Sequence, residues 1–426
     1  MKHRNSPHQA NAVVLSFSGY AEAYDLVRSL GMDGVASIVV ACQSYDIAFY
    51  SRFCKKRIVL PHFETSSERM IVDQLKQLSA TLGLKPILFY VSDAELSFVW
   101  RFQKELQSWY RFLLPRDETF EHLFNKARFC TFAREHHLPV PQTIIINNVD
   151  ELDSIVSSIR FPCIVKPAYR QDWTWETEEL LAVFGPYKRS LRRFTSTREL
   201  IKFCNALPRR ASALLIQSYI EGRDEAIISF HGYFDEQSRC LGYFLGRKIR
   251  TYPSHTGVSV YVQTIHNNEL AQKSIGYLEQ IRFQGIVKID YKLDQDDNEF
   301  KILEINPRYN LWVLLGGYAG VNLVAIAYRH QMGETVDLSY DYDDDARLLF
   351  FKQDLRAYFF EYRKTKEWTF ISYVKSLIKK KYYRVFDPRD PLPFIVSTIT
   401  FTGRNAFRLF RWMVNRLHPP RVLVRD

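Results

Sequence analysis

Four polar residues, Asp290, Glu304, Asn306 and Arg308, have the types and spacing to hold a cation and an anion together. They lie in GIVKIDYKLDQDDNEFKILEINPRYN, residues 285–310. Two runs in which apolar and polar residues alternate, Ile286–Leu293 and Phe300–Arg308, flank a polar turn, Asp294–Glu299. Alternation at period two predicts two half-buried strands, and the short turn between them predicts a hairpin. Pairing that is symmetric about the turn sets Asp290 opposite Glu304. Asn306 and Arg308 extend that face, because strand side chains repeat every second residue. Val287, Ile289, Tyr291, Leu303 and Ile305 then form the core face. Like charges directly opposite on a sheet repel. A cation between the two carboxylates removes the conflict, and Mg²⁺ suits it as a hard ion that takes one or two carboxylates and fills its octahedron with water and substrate phosphates. Asn306 adds a neutral oxygen, and Arg308 a fixed positive fork for an anion. Taken alone, the same pattern also describes the solvated face of an edge hairpin.

The remainder of the chain must position these residues. Its 426 residues are enough for two to three domains with a large core. Hydrophobic content of 46% and charged content of 25% fit a soluble globular protein. Six cysteines, at 42, 54, 130, 163, 204 and 240, are scattered without a C-x-x-C pair. That argues against a zinc site or disulfide scaffold and for a reducing cytosol. The apolar run Ala12–Phe17 is too short for a signal peptide, and no stretch reaches the length of a spanning helix. The net charge of +11 sits in the tail: residues 351–426 carry 17 Lys and Arg against 6 Asp and Glu, and the first 350 residues balance. Such asymmetry marks a partner surface rather than the fold.

In chain order, Ala12–Phe17, Ala36–Ala41, Arg57–Leu60 and Pro86–Val91 read as strands. Ala21–Leu30 reads as a helix closed by Gly31, and Ser92-Asp93 as a helix start. Alternating strands and helices predict a parallel sheet. No G-x-G-x-x-G is present, so no dinucleotide site is expected. Thr119–His137 reads as one helix stopped by Pro139 and Pro141. Phe161–Pro167 is a short apolar strand that ends in Lys166, whose ammonium needs an anion or water. Ala226–Phe230, Leu241–Leu245 and Val258–Thr264 read as further strands. Between the last two lies Gly246–Arg250, where alternation puts Lys248 and Arg250 on one face. Glu269–Ile281 reads as an amphipathic helix, and 310–330 as a loop and a helix.

Taken together, the Glu-Ile-Asn-Pro-Arg run at 304–308, Asn125-Lys126 followed by Leu138-Pro139-Val140-Pro141, the Val-Lys-Pro strand at 165–167 and LLIQSYIEGRD at 214–224 resemble the ATP-grasp ligases. The likeness extends to the bacterial carboligase (carboxylate–amine ligase-like) group and covers about residues 10–330. It implies an α/β fold, α+β in the core, with a Rossmann-like domain before the ATP-grasp core and a basic, aromatic helical C-terminal extension. The implied domains are 1–117 (pre-ATP-grasp, a wall of the acceptor site), 118–225 (N-terminal subdomain with the adenine linker), 226–345 (C-terminal subdomain with the metal site) and 346–426. The resemblance places Lys126 and Lys166 on the nucleotide phosphates. It places Gln217, Tyr219 and Ile220 around adenine, Asp224 on the ribose hydroxyls, and Mg²⁺ (or Mn²⁺) on Asp290, Glu304 and Asn306. Lys248 or Arg250 would meet the γ-phosphate or an acyl-phosphate, and Arg308 the carboxylate or the oxyanion. One departure stands out: 168–184 holds Trp173 and Trp175 but none of the glycines of a phosphate-covering loop, so that Arg170 or Lys188 is expected to substitute.

The implied activity is ATP-dependent, ADP-forming activation of a small-molecule carboxylate as an acyl-phosphate, attacked next by an amine. A small-molecule kinase and a nucleotide-binding, membrane-associated scaffold are the alternatives. After about residue 345 aromatic and basic residues interleave. Amphipathic helices with that pattern suit an anionic membrane face, and equally a helical cap on the core. No nucleic-acid partner is expected, a homodimer is compatible, and the expected location is the cytoplasm, peripheral to the inner membrane face.

Overall fold

The structure, a computed structural model, describes residues 10–17, 21–60, 68–168, 192–207 and 213–399. Arg170, Trp173, Trp175 and Lys188 lie outside them. The chain divides into two compact units, Met1–Tyr110 with Tyr383–Asp426, and Arg111–Tyr382.

In the first unit, β1 (Ala12–Ser16), β2 (Ser37–Ala41), β3 (Cys54–Val59) and β4 (Ile87–Phe89) form a parallel sheet in the order β3-β2-β1-β4. β1 and β2 are buried at every position, which is why they read as unbroken apolar runs. The first helix, Glu22–Met32, runs through Gly31 instead of stopping there. A Cβ at Gly31 would lie 2.2 Å from the Phe53 ring, so this glycine serves close packing, and Gly34, at φ +81°, follows the helix end. Ser92 and Glu95 form a reciprocal cap on the helix Asp93–Arg101. The first residues of the tail complete this unit. Buried Arg384 grips buried Asp25 with Nε and Nη2 at 2.9 and 2.6 Å from Oδ2, Arg28 pairs with Asp387 at 2.5 Å, and Asp390 accepts from the Ser51 hydroxyl and the Arg52 amide.

The second unit opens with two helices where the sequence predicts one. Asp117–Phe124 ends at Asn125, which leaves the helical backbone and caps Lys126–Glu135 by accepting from the amides of Ala127 and Arg128. Lys126 is therefore the first residue of a helix, not a mid-helix position. β5 (Thr143–Ile146), β6 (Cys163–Pro167), β7 (Arg192–Phe194) and β8 (Leu214–Ser218) form an antiparallel sheet in the order β5-β8-β6-β7. Cys163, Val165, Leu214 and Ile216 pack with Leu200 and Phe203 of the helix Thr197–Ala206. Alternation turns Lys166 and Gln217 to the other face, where Leu215 packs with Cys130 of the helix Lys126–Glu135.

β9 (Ile227–Phe234), β10 (Cys240–Tyr252), β11 (Val258–Ile265), β12 (Gly285–Asp294), β13 (Glu299–Asn306) and β14 (Arg347–Leu349) form an antiparallel sheet ordered β13-β12-β9-β10-β11-β14. β10 is continuous, so Gly246–Arg250 is strand rather than a connection. Residues 351–382 of the basic tail belong to this unit: a helical stretch from Phe351 to Thr365 and the helix Phe370–Ile378.

Candidate active site

The β12–β13 hairpin forms with Asp290 directly opposite Glu304, as its pattern predicts, and Lys288 opposite Asn306. Between Asp290 and Tyr291 the register slips by one residue: Tyr291 pairs with Ile302, and Leu303 is the extra residue of a bulge. The expected core face is corrected accordingly. Ile302, fully buried, takes the place assigned to Leu303, which is only half-buried. Arg308 lies two residues past the strand end, half-buried, with its guanidinium 3.4 Å from the Tyr309 carbonyl.

Register places the other site groups on the same sheet face. Ser229 is opposite Asp290 and His231 opposite Lys288 across β9–β12, and Phe244 is opposite His231 across β9–β10. Gly246 and Lys248 follow Phe244 at alternate positions. Trp312 lies over Gly246, where a Cβ would stand 2.7 Å from its ring. Asp290 is buried and accepts from the Ser229 hydroxyl; its Oδ2 lies 2.7 Å from Lys288 Nζ and 3.7 Å from Lys248 Nζ. Burial alone would push this carboxyl up, but the two ammonium groups hold it well below the usual carboxylate range, so it is ionised at neutral pH.

The two lysines from earlier segments reach the same place. Lys166 donates to Gln217 Oε1 at 2.8 Å, and Gln217 in turn donates to the Thr143 hydroxyl at 2.9 Å. Burial pulls the Lys166 ammonium down to about 8; the neighbouring charge of Lys126 adds to that, and Glu304 opposes it. Lys288 likewise senses Lys248, Asp290 and Glu304. Lys126, Lys166, Lys248, Lys288, Asp290 and Glu304 thus form one electrostatic cluster, four lysines and two acids among the described residues, which suits polyphosphate.

The donor set matches a hard divalent ion in kind: two facing carboxylates and the amide of Asn306, with Glu304 exposed. Among the described residues no group of three or more His, Cys, Asp or Glu side chains is arranged to hold a metal. The protein therefore offers part of a coordination sphere, and Lys288 must yield Asp290 Oδ2 for that carboxylate to join it.

Arg250 stands away from this face, and Asp224 is bonded on one oxygen to the tail. The register of β10 against β11 slips between Lys248 and Arg250, so the two do not share a face. Arg250 is fully buried, gripping Asp354 with Nε and Nη2 at 2.7 and 3.0 Å, and its guanidinium lies 4.5–5.0 Å from the ring centres of Tyr261, Trp368 and Tyr373. Asp224 is buried, and its Oδ2 accepts from the Thr251 amide and hydroxyl and from the Tyr362 hydroxyl, which anchors the tail helices, while its Oδ1 makes no hydrogen bond among the described residues and lies 3.7 Å from His255 Nδ1. Around the expected adenine contacts, the Tyr219 amide donates to the Pro162 carbonyl at 2.8 Å, and the Tyr219 ring is half-buried with Arg193 and Lys292 near it. Ile220 is buried.

Solved structures share the fold. An N5-carboxyaminoimidazole synthetase from Staphylococcus aureus complexed with ADP superimposes with a TM-score of 0.57 at 12% identity, covering 80% of this chain and 82% of that one. Biotin carboxylase from Campylobacter jejuni gives 0.57 at 13%, covering 77% of this chain and 72% of the other. The chain has the ATP-grasp fold. In sequence, the chain is 26% identical to a D-aspartate ligase of Enterococcus faecium over 249 residues, 56% of this chain and 57% of that protein. It is 28% identical over 196 residues to the arginine-specific carbamoyl phosphate synthase large chain of Halalkalibacterium halodurans, 43% of this chain and 17% of that protein. The chain thus spans little more than half the length of the first of these relatives. No family model matches.

Sequence reasoning missed Lys288, Ser229 and His231 of this candidate site. Lys288 was legible in principle, two residues before Asp290 on one strand. His231 was not: its ring lies between Phe244, at 4.5 Å, and Trp312, at 5.0 Å, and burial holds it neutral, well below the usual histidine range.

Proposed function

We propose that this chain is an ATP- and Mg²⁺-dependent ligase that activates a small-molecule carboxylate for attack by an amine, releasing ADP and phosphate. One observation carries the reading: Lys166 of one sheet, with Lys126 at a helix start beside it, and Lys248 and Lys288 of the other sheet gather about the facing pair Asp290 and Glu304. A substrate carboxylate oxygen attacks the γ-phosphorus of ATP, the bond to the β,γ-bridging oxygen breaks, and ADP leaves. The amine nitrogen then attacks the acyl carbon, inorganic phosphate leaves, and the amine proton passes to solvent or a base. Lys126 and Lys166 neutralise the nucleotide phosphates. Lys248 meets charge that develops on the transferred group, where a preoriented cation counts most. Arg308 orients the carboxylate. Glu304, Asn306 and Asp290 would hold the magnesium, which supplies Lewis-acid charge to the phosphates. Ile220 and the Tyr219 ring serve the adenine. We assign 1–117 as a pre-ATP-grasp domain, 118–225 and 226–345 as the two halves of the grasp, and 346–426 as a helical region that meets an anionic membrane surface at the inner face of the cytoplasmic membrane.

The test is a panel of carboxylates and amines with Mg·ATP, read by mass spectrometry and by ADP release. ADP should appear only with an acceptor, and Asp290→Asn or Glu304→Gln should abolish it with the circular dichroism spectrum unchanged. A stable phosphorylated product in the absence of any amine would instead indicate a kinase, and nucleotide binding without turnover across the panel a scaffold.

A further inference from the structure

The tail helix Phe370–Ile378 turns its apolar side outward. Phe370, Ile371, Val374 and Ile378 are 65%, 66%, 38% and 76% exposed. At 3.6 residues per turn they fall within an arc of about 100°. The opposite side is fixed: Tyr373 is buried, its ring stacks on Tyr358 at 4.0 Å, and its hydroxyl donates to Asp354 at 3.0 Å. The outward face is therefore held in place by the fold. Phe359 and Phe360, in the turn Tyr358–Tyr362 just before it, are also exposed.

The exposed charges of the helix and of the stretch before it, among the described residues, have one sign. Lys375, Lys379 and Lys380 are exposed, as are Arg363, Lys364 and Lys366. The two acids of the same stretch are turned to other partners, Glu361 to the Ser254 amide and Glu367 to His255 Nε2 at 2.9 Å. A protein partner would have to bring acids to meet a rim of one sign. A second copy would set the basic rim against itself. Residues 400–426 carry six Arg and one Asp, and would be repelled in the same way. An apolar stripe with a lysine rim is instead the pattern of a helix lying in a membrane interface: the stripe enters the acyl boundary, and lysine stems cover apolar surface while their ammonium groups reach anionic headgroups. Nine residues are too few to span a bilayer, and no helix among the described residues is long and apolar enough to do so.

We propose that Phe370–Ile378, with Lys375 and Lys379 at its edge, is the surface by which this protein docks on an anionic lipid bilayer. This rests on the membrane partner assigned above and is independent of the ligase chemistry. The experiment is co-sedimentation of the full chain with vesicles of phosphatidylcholine, alone or mixed with phosphatidylglycerol. Binding should require the anionic lipid and fall with added salt. Ile371→Ser with Ile378→Ser should weaken it about tenfold or more, and Lys375→Gln with Lys379→Gln about 30-fold at low salt. Thermal melting should stay unchanged, since these side chains point to solvent. The proposal is overturned if both double variants bind as the parent does, if neutral vesicles bind equally well, or if the isoleucine variant alters the oligomeric state by light scattering while the parent ignores vesicles. Loss of ADP release bears on the ligase reading alone.

Discussion

Arg250 and Asp354 separate a structural role from a chemical one. Each is completely buried, and the guanidinium makes two hydrogen bonds to the carboxylate with three aromatic rings around it. Asp354→Ala removes the counter-charge and leaves a cation where water cannot reach it. Breaking one side of a buried pair costs about 3–5 kcal/mol. For a unit of this size 1 kcal/mol corresponds to about 2–4 °C, so melting should fall by about 6–20 °C. Removing both charges is a different perturbation. Arg250→Met with Asp354→Leu leaves no orphan charge and fills similar volume, though the Tyr373 hydroxyl loses its acceptor, and should recover part of the loss. Calorimetry and ADP release on the same preparations, below the lowest melting temperature, separate the two roles. The double variant should turn over within a few-fold of the parent, while Lys248→Met, on the site face beside Asp290, should lose about 10²–10³ in kcat. The reasoning is refuted if the double variant is well folded but inactive, or if Asp354→Ala melts with the parent.

Two further outcomes follow from burial. Lys166 sits at about 8 against an unfolded 10.5, so between those values the unfolded chain holds more protons and stability rises with pH. Over the same range the folded protein loses an ammonium, so ADP affinity by titration calorimetry should fall as pH passes about 8, approaching tenfold per unit, and Lys166→Met should flatten the profile; a flat parent profile rejects the assignment. Arg384→Ala strands buried Asp25, should cost about 3–5 kcal/mol, and should speed tryptic cleavage at exposed Arg389; unchanged cleavage would mean that the tail is held by other contacts.

The hairpin of the site was legible because its physics is local. Alternation fixed which residues share a face, a short turn fixed the register, and Asp290 meets Glu304 as that register requires. The same logic failed where a single residue slips. The bulge at Leu303 exchanged it with Ile302 in the core, and the slip after Lys248 sent Arg250 away from the site. Strand alternation has period two, so one inserted residue inverts every later assignment, and nothing in the composition of Lys-Ile-Arg announces the insertion. Asn125 was similarly ambiguous: it is tolerated in a helix and is also a strong cap, and its escape from helical backbone decided in favour of the cap.

By itself the sequence determined the classes of residue available to the site, the parallel sheet of the first unit, the facing acids and the concentration of positive charge in the tail. Only the tertiary structure decided which charges are exposed and which are spent. It assigned Asp224 to Tyr362 and Thr251, Arg250 to Asp354, and Arg384 to Asp25. It also gave Asp290 two lysine neighbours. The physical reason is that a charge is defined by its partner and its access to water, and both come from segments far apart in the chain.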